Sequence, residues 1–199
     1  PEVIARDEWE GCNYNYARAT ADGTVYLTVG AQWIQGRLVY PDDVGPWLAK
    51  PCLLRILPDA TELDRSFDPN ILGELAGDRR ITGNLELAGE DEAFFVAWHE
   101  ELMTEDFTVE NFDSVRFTTP AYRWYRWDMG SDEASEVAGD AFAALPSVST
   151  IDGRLFYSDQ RLVGDSGGHG IAPHYELTAS GPRPAFIAYG TVWDVLRVR

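Results

Sequence analysis

Three segments of the chain repeat one short pattern, and this repetition constrains the fold more than any other feature of the sequence. Each segment has an aspartate at a predicted turn, alternating apolar residues after it, and an aromatic side chain four positions beyond the aspartate. The segments are 21–27, 90–96 and 151–157, with aspartates at 22, 91 and 152 and therefore steps of 69 and 61 residues. This repetition predicts a fold built from three similar units.

Each repeated segment is predicted to lie in a β-hairpin. Asp22-Gly23 and Asp152-Gly153 stand between apolar runs, and this dipeptide favours a tight hairpin turn because glycine accepts positive φ. A second hairpin is predicted later in each unit, which gives four strands per unit. Its strands are 52–57 with 62–67, 122–127 with 134–138, and 174–177 with 185–189. Helical signals are limited to single turns at 44–48 and 141–145.

The predicted fold class is all-β. Four antiparallel strands repeated about every sixty residues are typical of a β-propeller blade. We therefore expect one all-β domain over residues 1–199, with the aromatic residues of the repeat packed between neighbouring blades. Its units are 13–70, 81–139 and 146–190, followed by a closing strand at 191–197. Three blades do not close a ring of the usual size, so a second chain or a missing segment is expected to complete a larger propeller. A β-sandwich or a barrel is the alternative.

The repeat resembles that of secreted bacterial β-propeller proteins, of the kind found in siderophore-associated lipoproteins. The resemblance is carried by the Asp-Gly turns, by the aromatic residue that follows them, and by Tyr125-Arg126-Trp127-Asp128. It implies a propeller fold and a bacterial origin. It also implies an extracellular or periplasmic location, which the scarcity of lysine and the absence of an initiator methionine favour as well.

The charge balance restricts the classes of partner. Asp and Glu number 33 against 16 Lys and Arg, a net charge of −17. Such a chain repels phosphate backbones and anionic membrane surfaces, which argues against nucleic-acid binding. Cationic partners, or metal ions such as calcium, fit this charge better. No run of eighteen apolar residues occurs, so no transmembrane helix is expected.

Two cysteines, Cys12 and Cys52, are too few for a metal site of their own. A disulfide between them would close a loop of about forty residues and contribute roughly 3–4 kcal/mol. Two free buried thiols are the alternative.

The glycine-rich stretch before the last predicted hairpin contains two candidate sites. Asp165, His169 and His174 could bind a metal ion, because imidazole and carboxylate groups suit zinc, copper or iron. Ser166 lies in Gly-Asp-Ser-Gly-Gly, a string found around the serine nucleophile of trypsin-like proteases. That reaction also needs a histidine base, and His99 is the only histidine before Ser166. Its neighbours do not match the protease pattern, so a hydrolase is the alternative rather than the leading interpretation.

A third candidate site lies on the strand 122–127. Arg123, Trp124 and Arg126 combine cations with aromatic surface, which suits a carboxylate, a catecholate or a sugar. A strand buried between two blades would show the same composition.

The leading functional prediction is a non-enzymatic module for ligand binding or protein interaction, which uses loops at the mouth of a propeller. Its predicted ligand-binding residues are Asp165, Ser166, His169, His174, Arg123, Trp124 and Arg126. The sequence contains no complete catalytic set, and it leaves the cofactor unknown apart from the candidate metal ion. A hydrolase, or a structural subunit that completes a partner chain, remains open.

Overall fold

The chain is all-β in the computed structural model, which describes Trp9, Cys12 and residues 14–31, 52–106, 108–143, 148–158 and 171–189. The strands are β1 (Tyr16–Ala19), β2 (Val25–Thr28), β3 (Leu53–Ile56), β4 (Thr82–Leu87), β5 (Glu92–Trp98), β6 (Tyr122–Asp128), β7 (Glu133–Glu136), β8 (Val148–Ile151), β9 (Arg154–Ser158), β10 (Ile171–Thr178) and β11 (Gly181–Tyr189). The helical elements are α1 (Ile71–Leu75), α2 (Phe112–Thr118) and a 3₁₀ turn (Glu100–Leu102). The predicted closing strand 191–197 lies outside the described residues.

The strands form three antiparallel sheets in chain order. Sheet 1 contains β1–β3, sheet 2 contains β4–β7 and sheet 3 contains β8–β11, and within each sheet consecutive strands are neighbours. Short turns therefore gather at one end of each sheet, called here the turn end. Long connections such as 99–121 leave from the opposite, connection end.

The repeated aspartates lie at equivalent turns, as the pattern predicts. Asp22, Asp91 and Asp152 occupy or adjoin the turns β1–β2, β4–β5 and β8–β9. The aromatic residues that follow them are all buried. Tyr26 makes an edge-to-face contact with Trp127 of sheet 2, with ring centroids 6.3 Å apart. Phe95 belongs to the same core between sheets 1 and 2, whereas Phe156 contacts Phe186 within its own sheet.

Sheet 2 is buried on both faces. Successive side chains of β5 point to opposite faces, so one unbroken apolar run supplies two cores. Phe94, Val96 and Trp98 belong to the core shared with sheet 3. Ala93, Phe95 and Ala97 belong to the core shared with sheet 1 and α1. Burial on both faces explains why this strand is apolar from Ala93 to Trp98.

Sheets 1 and 2 also meet through their backbones. Gly83 lies where a Cβ atom would come within 2.3 Å of the Val29 carbonyl oxygen, so this approach requires glycine. The next residue, Asn84, adopts a positive φ of 55°. Its amide N–H donates to the Val29 carbonyl at 3.2 Å, and its side-chain oxygen accepts the Ala31 N–H at 2.9 Å. The bulge in β4 at this point therefore joins the two sheets.

An ion pair between the half-buried Arg18 and the buried Glu86 crosses the same boundary. The Arg18 guanidinium donates two hydrogen bonds to the Glu86 carboxylate, at 2.7 and 2.6 Å. Burial raises the pKa of Glu86, and Arg18 offsets only part of that effect. Because an unpaired buried carboxylate is costly, Glu86 favours the docking of sheet 1 that places Arg18 beside it.

Three local predictions are wrong. Helical signals are limited to 44–48 and 141–145, yet the structure has α1 at Ile71–Leu75 and α2 at Phe112–Thr118. The fourth strand expected at 62–67 does not form, because Asp64 accepts hydrogen bonds from the Ser66 N–H and from Arg55, which folds this segment into turns. The helical turn expected at 141–145 is absent from its described part, 141–143. Phe142 instead exchanges backbone hydrogen bonds with Tyr122, so it extends sheet 2. The helical turn expected at 44–48 lies outside the described residues.

A disulfide covers the outer side of sheet 1. Cys12 and Cys52 are bonded, with Cα atoms 5.7 Å apart. Together with Leu27, Leu54 and Leu63, Cys52 forms a third buried cluster. The bond thus ties the segment before β1 to the start of β3.

Candidate functional site

Arg123, Trp124 and Arg126 do not converge on one surface. Trp124 is buried in the core between sheets 2 and 3, where its ring contacts Phe142 and Tyr157. Arg123 donates to the Glu136 carboxylate at 2.6 Å, and Arg126 donates to Glu92 near the turn end. This strand therefore has the composition of a strand buried between two sheets, with its two arginines in ion pairs.

The other predicted site residues fall partly outside the described residues. Asp165, Ser166 and His169 are among those that the structure does not describe. His174 is buried on β10, and its ring stacks on Phe186 with centroids 4.4 Å apart. Within the described ranges, no three His, Cys, Asp or Glu side chains lie close enough to hold a metal ion.

A network of ionisable groups lies at the connection end of sheet 2. His99 follows β5 directly and is buried. Its Nδ1 lies 2.9 Å from Glu101 Oε1, and its Nε2 lies 3.2 Å from the Tyr125 hydroxyl. Glu136 Oε2 is 3.8 Å from the same Nε2. Arg79 in turn donates two hydrogen bonds to the Glu101 carboxylate, of 2.6 and 2.8 Å.

The protonation of this network follows from its partners. Hydrogen bonds from Arg79 and from its own backbone hold the pKa of Glu101 at about 2, so its carboxylate only accepts. His99 Nδ1 therefore carries a proton and donates to Glu101. Burial raises the pKa of Tyr125, so the phenol keeps its proton and donates it to Nε2. The imidazole is thus engaged at both nitrogens.

The turn end contains a cavity of about 430 Å³ between sheets 1 and 2. Its volume lies in the range of small-molecule sites. The β1–β2 turn forms one wall, and the β4–β5 turn together with Met129 forms the other. Its lining residues are Thr20, Ala21, Asp22, Thr24, Tyr26, Glu90, Asp91 and Met129. Three of these eight side chains are carboxylates, and none is basic.

The electrostatics of this turn-end cavity favour positive charge. Hydrogen bonds from the Thr20 hydroxyl and the Thr24 N–H lower the pKa of Asp22, which keeps this carboxylate ionised. Burial raises the pKa of Tyr26, with a smaller opposing effect from Arg55, so the phenol stays neutral. The cavity therefore offers anionic oxygens, hydroxyl groups and one aromatic ring.

The sequence contained a signal for this cavity. Asp22 and Asp91 hold the same position in the first two repeats, so they must come close once neighbouring units pack side by side. Their turn-forming role alone did not reveal the cavity. The cavity forms only because turns of two different sheets meet there, and Asp22 and Asp91 are 69 positions apart in the sequence.

Comparisons with known proteins supply no identity for the chain. No family model matches it, and no curated protein matches it at a significant level. No helix in the described part of the chain has the length and apolar character that crossing a bilayer requires.

Proposed function

We propose that this chain is a non-enzymatic binding module and that its ligand places a positively charged group in the turn-end cavity. The cavity itself carries this proposal: about 430 Å³, lined by three carboxylates and no basic side chain. The net charge of −17 adds long-range attraction for cations.

The spacing of the carboxylates favours an organic cation over a metal ion. Within the described residues, no three potential metal ligands converge on one point, so Asp22, Glu90 and Asp91 do not form a compact coordination shell. Separated anionic groups instead suit an extended ligand with two or more ammonium or guanidinium groups. The ring of Tyr26 and the thioether of Met129 provide apolar contact for the carbon chain between such charges.

We further propose that the three sheets are successive blades of a propeller-like fold in a secreted bacterial protein. This is supported by sheets of consecutive antiparallel strands that pack face to face in chain order. Ligand sites between neighbouring blades fit such an arrangement, because the turns of two blades meet there.

The binding proposal is tested by titration calorimetry with spermidine in 150 mM salt. The variant E90Q/D91N removes two charges from the cavity, whereas E105Q/D106N removes the same Glu-Asp pair from an exposed connection elsewhere. We expect E90Q/D91N to weaken binding at least tenfold and E105Q/D106N to change it less than twofold. Equal weakening by both variants, or no binding to the unmodified chain, would contradict the proposal.

The hydrolase alternative has its own test. In a trypsin-like arrangement the base of Ser166 would be His99, the only histidine before it, yet both nitrogens of His99 contact other partners. Turnover of a defined ester or peptide substrate that disappears in Ser166→Ala would overturn the non-enzymatic assignment.

A further inference from the structure

The network around His99 contains an acceptor that the neutral imidazole does not use. Glu136 has one carboxylate oxygen on Arg123 at 2.6 Å, while its other oxygen faces His99 Nε2 at 3.8 Å. With Nδ1 protonated, Nε2 has a lone pair and accepts the Tyr125 hydroxyl hydrogen. In this state Nε2 has no proton to share with Glu136.

We propose that His99 is a pH-sensitive latch for the β7 edge of sheet 2. When the imidazole takes up a second proton, Nε2 becomes a donor and Glu136 Oε2 becomes its charged acceptor. A shift of about 1 Å brings the two atoms to the distance of a charge-assisted hydrogen bond. Arg123 stays bonded to Glu136 Oε1, so Glu136 can contact Arg123 and His99 at the same time.

Every charged or titratable group described around the imidazole agrees with this inference. The 3₁₀ turn contributes Glu101, β6 contributes Tyr125 and Arg123, β7 contributes Glu136, and the segment before β4 contributes Arg79. Arg79 pairs with Glu101 and also hydrogen-bonds the Tyr125 hydroxyl, while Arg123 pairs with Glu136. Two carboxylates face the imidazole, one at each nitrogen, and Tyr125 can accept as well as donate.

The proposed contact would hold β7, which is short and lies at the edge of sheet 2. β7 has four residues and, among the described strands, pairs only with β6. Glu136 is its last residue, so a second contact there fastens the strand at the connection end. Histidine is the side chain that changes charge between about pH 5 and 8, so the latch would close on mild acidification.

A double-mutant cycle in urea, measured at pH 5.5 and pH 8, tests the latch. His99→Asn keeps a donor toward Glu101 but removes Nε2, and Glu136→Gln removes the charge but keeps an oxygen for Arg123. At pH 5.5 we expect the coupling of the two positions to change the unfolding equilibrium constant about threefold, as for partly exposed charge pairs. At pH 8 we expect no measurable coupling. Equal coupling at both pH values, or none at either, would overturn the proposal.

A second readout avoids dependence on the folding of His99→Asn. Amide exchange protection of β7 is compared at the two pH values in Glu136→Gln and in Glu133→Gln, which lies on the same strand away from His99. The protein with Glu133→Gln should gain about threefold protection at pH 5.5, and the protein with Glu136→Gln should gain none. The same gain in both variants would also refute the latch.

Discussion

Several of the ion pairs in this chain form where strands of one sheet face each other, and Glu176 on β10 is the most enclosed example in sheet 3. Arg154 of β9 donates to both of its oxygens at 2.7 Å, and Arg183 of β11 donates to it from the other side. The two arginines hold the pKa of Glu176 at about 2. One carboxylate thus connects three strands.

The first prediction concerns acid stability through Glu176. Its folded-state pKa lies below the ordinary glutamate value of about 4.3, so its contribution is complete above that value and is lost as pH falls toward 2. Urea midpoints measured between pH 5 and 2.5 should fall less steeply for Glu176→Gln than for the unmodified chain. Glu133→Gln, on an exposed edge, should follow the unmodified chain. Parallel curves for all three proteins would contradict this prediction.

At the scale of the element, β4 belongs to sheet 2 and also connects it to sheet 1. Its bulge lets Gly83 and Asn84 touch the backbone that follows β2, so sheet 1 meets sheet 2 through main-chain atoms as well as side chains. Side-chain burial alone would tolerate small shifts between sheets. A backbone contact as close as that between Gly83 and Val29 does not tolerate such shifts.

The second prediction is that Gly83→Ala destabilises the chain. The new methyl group would lie 2.3 Å from the Val29 carbonyl oxygen, and relieving that clash requires backbone movement. Overpacking of this kind costs about 1–3 kcal/mol. Gly89→Ala is the matched control, since a Cβ there meets nothing within 4 Å. The urea midpoint should be lower for Gly83→Ala than for Gly89→Ala, and similar midpoints would contradict this prediction.

The elements were predictable where the signal is local. Asp-Gly turns and alternating residues specify hairpins, so most strands lie where the sequence predicts them. The prediction of a strand at 62–67 is wrong because the Asp64 side chain binds Ser66 and Arg55 and folds the segment into turns, although the Asp64 N–H still donates to the Arg55 carbonyl of β3. The cavity was missed for another reason. Its walls come from two repeats, and the distance between them depends on how sheets 1 and 2 pack, which no local pattern encodes.

For the whole molecule, the disulfide is the covalent constraint with the longest reach. Cys12 and Cys52 are 40 positions apart, and the loop they close contains β1 and β2. Restricting such a loop in the unfolded chain stabilises the native state by roughly 3–4 kcal/mol.

The third prediction follows from this loop. A reducing agent should lower the urea midpoint of the unmodified chain by an amount that corresponds to that free energy. The variant C12S/C52S should start from the lower midpoint and should not respond to the reductant. A reductant-insensitive midpoint in the unmodified chain would show that the bond contributes little.

Sheet 2 is enclosed on both sides, and its neighbours in space are also its neighbours along the chain. A ribosome releases the chain from its amino end, and domains can begin to fold as they emerge. Sheet 1 would be complete when sheet 2 appears, and sheet 2 could cover one face at once. Its second apolar face would then stay open to solvent for the time needed to synthesise sheet 3. Exposed apolar surface promotes aggregation, so during synthesis this face is a hazard from the completion of β7 until sheet 3 covers it.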